Sequence, residues 1–138
     1  MKRMKHIILG FSILLMTLML IGCGEAVANV DIGERIKSEE VPVLTWGVKA
    51  DTNLFGFYNI QTGKIEGFDI DIASALTDEM TNGKGIAEFV EVTSKTRIPL
   101  LKTGKIDGIL ATMTITEERE QQVDFSDVLL RSYSNVLI

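Results

Sequence analysis

Residues 106–119, Ile106-Asp107-Gly108-Ile109-Leu110-Ala111-Thr112-Met113-Thr114-Ile115-Thr116-Glu117-Glu118-Arg119, carry a short apolar run straight into a helix start. Ile106–Met113 is apolar with one glycine, the composition of a parallel strand buried on both faces. Thr116 then offers an N-cap hydroxyl. Glu117 and Glu118 place two carboxylates in the first turn, where the helix dipole favours them.

Working outward, the same alternation repeats. Upstream, Thr96 opens a short helix in which Pro99 is tolerated in the first turn, Leu100 and Leu101 face inward and Gly104 closes the element. Ala87–Val92 reads as a strand around Phe89 and Val90. Phe68-Asp69 leads into a longer helix with Asp69 as its cap. Ile72, Ala73, Ala75, Leu76 and Met80 form its expected apolar face, and Asn82-Gly83-Lys84-Gly85 stops it. Val43–Lys49 is rich in β-formers and ends at the turn-prone Ala50-Asp51-Thr52-Asn53. Phe55–Tyr58 and the turn at Gln61–Gly63 suggest a hairpin-like excursion. Downstream, Asp124-Phe125-Ser126 reads as a turn and Ser134–Ile138 as one more strand. Strands alternating with helices predict an α/β fold, a mostly parallel sheet flanked by helices.

Composition narrows the function. The chain has 138 residues, with 46% hydrophobic and 24% charged, which excludes a disordered or fibrous protein. One cysteine cannot form an intramolecular disulfide, and one histidine cannot build a zinc site, so no metal is expected. No other cofactor is expected either. Residues 23–138 hold 11 basic and 19 acidic residues, a net charge of −8. Phosphate-binding surfaces are basic, so nucleic acid is not an expected partner.

The N-terminal segment reads as targeting. Met1–His6 is basic, and Ile7–Gly22 is an uncharged apolar run. That run is shorter than the ~20 residues that span a bilayer, but suits a signal-peptide core. It ends in Leu20-Ile21-Gly22-Cys23, which resembles the lipobox of bacterial lipoproteins. Residues 1–22 are therefore expected to be a lipoprotein signal peptide. Cys23 is the expected lipidated residue, anchoring the protein to the outer face of the cell membrane. The less favoured alternative is an ordinary signal peptide or membrane anchor that happens to contain a buried cysteine. Residues 23–40 read as a solvated tether, with a short helix across Asp31–Ser38 as an option.

Ligands of open parallel sheets bind at the carboxyl ends of the strands, so three loops are of interest. In the third, Ala111–Arg119, hydroxyls, helix-start amides and a guanidinium converge as an anion site suited to a carboxylate. From composition alone, Thr116 as a plain cap and Arg119 as an exposed residue explain it as well. The second, Thr93-Ser94-Lys95-Thr96-Arg97, adds a hydroxyl and a guanidinium, or is simply a capped helix start. The first holds Lys49 at a strand end and Phe55, Phe57 and Tyr58, aromatics that wall a ligand stem or serve the core.

Residues 44–138 resemble the first lobe of the extracellular solute-binding proteins of family 3, polar amino-acid receptors of ABC importers. The carrying stretches are Gly47–Asp51, Gly63–Asp71, Thr93-Ser94 with Arg97–Leu101, Gly104–Asp107, Ala111–Arg119 and Val123–Asp127, in the family's order. The resemblance implies a type II periplasmic-binding-protein lobe over residues 41–138, ending before the second lobe. It implies that Arg119 pairs with the ligand α-carboxylate, assisted by Thr114 and groups around Thr112. It further implies that Lys49, Ser94 and Arg97 set side-chain specificity beside Phe55. Two cations favour a second carboxylate, so glutamate or aspartate is the expected ligand, with glutamine next.

The partners so implied are the ligand, the permease subunits of the transporter and the membrane. Half a site that cannot close about a hinge is expected to bind weakly. A non-enzymatic role is expected, because cyclohexadienyl dehydratases on the same fold need a positioned acid or base and residues 23–138 contain no histidine. A sensor module of a larger receptor is the remaining alternative.

Overall fold

A computed structural model describes residues 31–131. The expected signal peptide, Cys23 and the last strand at Ser134–Ile138 lie outside the described residues. The chain runs α1 (Ile32–Ser38), β1 (Val43–Val48), β2 (Asp51–Thr52), β3 (Gly56–Asn59), β4 (Lys64–Glu66), α2 (Phe68–Thr81), β5 (Ile86–Glu91), α3 (Arg97–Lys102), β6 (Gly108–Leu110) and α4 (Glu117–Glu120).

The main sheet is parallel with order β5-β1-β6, so the first strand in sequence is the central one. Trp46 lies opposite Phe89 on one side and Gly108 on the other. Gly108 is required there, because a Cβ would stand 2.5 Å from the Trp46 ring. The predicted excursion is a small antiparallel sheet of order β2-β3-β4. Leu44 and Val48 of β1, Ile70 and Ala73 of α2, and Val92, Ile106, Leu110 and Ala111 form the buried apolar core. Val90, Leu100, Leu101 and Ile109 pack against its Val92–Ile106–Ala111 part.

Two expectations about α2 are corrected. Asp69 does not cap the helix. The cap position is Gly67, with φ 135°, and it makes no side-chain cap bond. Its Cβ would collide with the Phe55 carbonyl oxygen at 2.5 Å. The Phe68 and Asp69 amides donate to the carbonyls of Leu54 and Phe55, both at 2.9 Å, so the helix start is satisfied by the preceding loop.

The buried face also differs. It is Asp69, Ile70, Ala73, Thr77 and Thr81, while Leu76 and Met80 are exposed. Threonines can be buried here because the Thr77 and Thr81 hydroxyls donate to the carbonyls four residues back, at 2.9 and 2.7 Å. Trp46 Nε1 also donates to Thr77 Oγ1 at 2.8 Å, tying α2 to the sheet.

The tether region is partly built into the lobe. Ile32–Ser38 takes the helical option, and Arg35 reaches the foot of the sheet. Its Nη1 donates to Asp107 Oδ1 at 2.6 Å, and its Nη2 donates to the Val43 carbonyl. Asp107 Oδ2 in turn accepts the Thr45 amide at 2.8 Å. Asp107 is thus a junction of α1, β1 and the start of β6.

Candidate functional site

Parallel pairing brings the carboxyl ends of β1, β5 and β6 to one end of the sheet, and the three expected loops emerge there. In the third loop, Thr116 caps α4. Its Oγ1 accepts the Arg119 amide at 3.4 Å, and its carbonyl accepts the same amide at 2.9 Å. The Arg119 Nη1 donates to the Thr114 carbonyl at 2.7 Å. The guanidinium is thereby folded back over the loop, against the Thr114 backbone rather than its hydroxyl.

Arg97 comes from the start of α3 and is 4% exposed. Its Nη1 donates to the Ala111 carbonyl at 2.9 Å, and its buried Nε has no acceptor among the described residues. Burial lowers the Arg97 pKa, and the Arg119 charge lowers it further. Two guanidiniums thus share one loop, a local positive field in an acidic chain and a place for an anion.

The first loop contributes aromatic surface. Phe55 meets Phe68 edge to face, with centroids 6.1 Å apart and planes at 80°. Both line a hollow of about 800 Å³ together with Thr52, Asp69, Thr112 and Thr114. Asp69 and Phe68 are the residues that sequence reasoning missed here. Asp69 was visible only as a carboxylate near a helix start, which is also what a cap looks like.

Lys49, Ser94, Arg97 and Arg119 do not line the hollow; Lys49 and Ser94 stand at neighbouring strand ends. The Lys49 Nζ is 2.9 Å from Asp51 Oδ1, so its charge is already paired within the chain. The hydrogen bond from Lys49 holds the Asp51 carboxyl below its ordinary pKa. Ser94 is exposed on the turn that Thr93 and Thr96 lock, the Thr96 Oγ1 accepting the Thr93 amide at 2.9 Å.

A parallel three-stranded sheet flanked by helices, with a hollow along β6 walled by Phe55 and Phe68, has the architecture of one lobe of the type II solute-binding proteins. Residues 44–138 match the bacterial extracellular solute-binding proteins, family 3, and the chain belongs to that family. An extracytoplasmic location goes with it. The chain is 44% identical to the ABC transporter glutamine-binding protein GlnH of Bacillus subtilis, over 93% of this chain and 50% of the relative. It is 49% identical to the glutamine-binding protein of Geobacillus stearothermophilus, over 83% of this chain and 43% of the relative. The chain therefore spans about half the length of these curated relatives. Among solved structures, an ancestral arginine-binding protein bound to glutamine matches with TM-score 0.57 and 45% identity, over 62% of this chain and 36% of that one. A point mutant of the arginine-bound form of domain 1 from TmArgBP matches with TM-score 0.60 and 40% identity, covering 69% of each chain.

Proposed function

We propose that this chain is the first lobe of a lipid-anchored receptor that delivers a polar amino acid, glutamine in the first place, to an ABC importer. Cys23 carries the lipid and permease subunits are the partners. The observation that carries the reading is the Ala111–Arg119 loop, whose Thr112 and Thr114 line the same hollow as Phe55 and Phe68 and whose Ala111 and Thr114 carbonyls hold Arg97 and Arg119. An α-carboxylate takes the free face of the Arg119 guanidinium as a planar, charge-assisted pair. The aliphatic stem lies along Phe55. Glutamine is favoured over an acidic side chain because the Lys49 ammonium is satisfied by Asp51. The two glutamine-binding relatives support the same ligand.

Glutamate or aspartate is the second reading, and Arg97 favours it. A buried guanidinium with an unpartnered Nε and no carboxylate counter-ion among the contacts described is a ready partner for a second carboxylate. Titration calorimetry with L-glutamine, L-glutamate, L-aspartate and L-arginine separates the readings. Arg119→Ala should weaken whichever ligand binds by about thirtyfold or more, since truncating one side of a desolvated charge pair costs at least about 2 kcal/mol. Because domain 1 from TmArgBP has an arginine-bound form, residues 24–138 are proposed to retain measurable but weak binding. Binding at or below the micromolar range by residues 24–138 alone would refute the half-site argument. A non-enzymatic role belongs to the same proposal, and turnover of prephenate or arogenate would overturn it.

A further inference from the structure

Arg97 is the first residue of α3, and its side chain is buried. Several costs meet there. Its charge lies at the positive end of a helix, the wrong end for a cation. Its buried Nε has no acceptor, and no carboxylate pairs with it among the described residues. An uncompensated buried cation costs stability. Nor does Arg97 line the hollow. What it holds is one peptide group. Its Nη1 donates to the Ala111 carbonyl at 2.9 Å, in a buried contact that spans 14 residues of sequence. That carbonyl lies just beyond the β1–β6 ladder, whose last pair is Val48 with Leu110. The next residue, Thr112, has a φ of 45°, a left-handed conformation that a β-branched side chain takes only where its surroundings impose it. From that turn onward, Thr112, Met113, Thr114 and Ile115 line the hollow.

We propose that Arg97 is a positioning residue for the ligand loop rather than a reader of the ligand side chain: its guanidinium fixes the Ala111 carbonyl and so the peptide plane on which the turn at Thr112 begins. The same peptide carries the Thr112 amide, so fixing its carbonyl sets the direction in which the chain leaves β6. Because Arg97 stands at the start of α3, the bond also ties the second loop to the third. Without it the peptide is free to rotate, Thr112 relaxes to an ordinary φ, and the residues that line the hollow are re-aimed. The inference rests on the reading of Ala111–Arg119 as the ligand loop, but its core, the hold on Ala111, does not depend on which solute binds.

The test combines two readouts on the full chain. Backbone carbon NMR shifts report the hold directly, with no ligand present. Titrations of L-glutamine and L-glutamate report its consequence. In Arg97→Met, which keeps an apolar stem but no donor, the Ala111 carbonyl shift should move upfield and the Thr112 Cα and Cβ shifts should leave their left-handed values. The Leu44 and Val48 shifts of the core should stay in place. L-glutamine should weaken about tenfold, the lower end for one charge-assisted hydrogen bond. The ratio of L-glutamine to L-glutamate affinity should stay within about twofold of the parent, because a group that holds the loop does not discriminate between solutes. Arg97→Lys, which restores a donor of similar reach, should recover most of both readouts. Unchanged Ala111 and Thr112 shifts in Arg97→Met overturn the proposal. So does a selective loss of L-glutamate, which would make Arg97 its charge partner, and so does unchanged L-glutamine binding despite moved shifts. If Arg97→Met does not fold, Arg97→Gln, whose side chain stops short of Ala111 but keeps a polar group in the site, carries the same comparison. Failure of the parent chain to bind L-glutamine counts against the proposed ligand and leaves the shifts to decide the role of Arg97.

Discussion

Asp107→Ala should be among the most damaging single changes outside the hydrophobic core. The side chain is 10% exposed and serves two donors, the Thr45 amide at 2.8 Å and Arg35 Nη1 at 2.6 Å. Orphaning a half-buried amide costs about 1–3 kcal/mol, and a charge-assisted hydrogen bond contributes about 1.5–3 kcal/mol. Arg35 is 26% exposed, which places its share near the lower end. A total of about 3 kcal/mol follows, a fall in Tm of roughly 10–20 °C for a domain of this size. Arg35→Ala leaves the Thr45 bond intact and should cost about 1 kcal/mol. Urea unfolding followed through the fluorescence of the single tryptophan, Trp46, measures both. In the double variant the two losses should fall short of additive by about 1 kcal/mol. Additivity within about 0.3 kcal/mol would refute the docking of α1 onto the sheet.

Three further outcomes are expected. Gly108→Ala should destabilise by about 1–3 kcal/mol, because the new methyl overlaps the Trp46 ring; a neutral result in the same unfolding assay would mean that the ring is free to move. Thr77→Val should cost about 1–2 kcal/mol by leaving Trp46 Nε1 without its acceptor, with a shifted tryptophan emission as the accompanying sign. Burial raises the Asp69 pKa above 3.8, the Thr112 amide offsetting part of the rise. A raised carboxylate pKa means that the folded state holds its proton more tightly, so stability is fully present below the unfolded pKa and is lost as pH rises through the folded one. Asp69→Asn should therefore raise Tm at neutral pH, with the gain shrinking as pH falls toward 3.8; a gain independent of pH would show that the charge is not the cause.

Much of the fold is legible in local patterns because each strand and cap carries its own signal. Val43–Val48, Ile86–Glu91 and Gly108–Leu110 are strands by composition, and Gly104 and the Asn82-Gly83 pair stop helices by conformation. The face of α2 was not legible in apolar spacing. Its burial depends on Thr77 and Thr81 feeding their hydroxyls back into the helix, a tertiary use of residues that count as polar in any pattern. The bond from Arg119 to the Thr114 carbonyl lies within one loop, but the motif spoke only of a ligand for both residues and not of this backbone contact. Lys49 is a similar case. Its partner is only two residues away, but whether Asp51 turns toward it depends on the β2–β3 hairpin that positions the acid. Asp69, read as a helix cap, is instead buried on the α2 face, and Asp107 joins α1 to the sheet across 72 residues of sequence.

The central place of β1 also has a consequence for how the chain comes off the ribosome. Thr45 waits for an acceptor 62 residues further on, and Arg35 for one 72 residues further on. At about 5–20 residues per second, the segment Val43–Val48 spends roughly 3–12 s after its own synthesis before β6 exists to flank it. During that time a short, uncharged, β-prone stretch containing Trp46 has no strand on its β6 side. Such stretches are where nascent chains stick to one another. The residue that seats the middle of the sheet is therefore also a timing constraint, and variants that slow the arrival of Asp107 should lower yield before they lower stability.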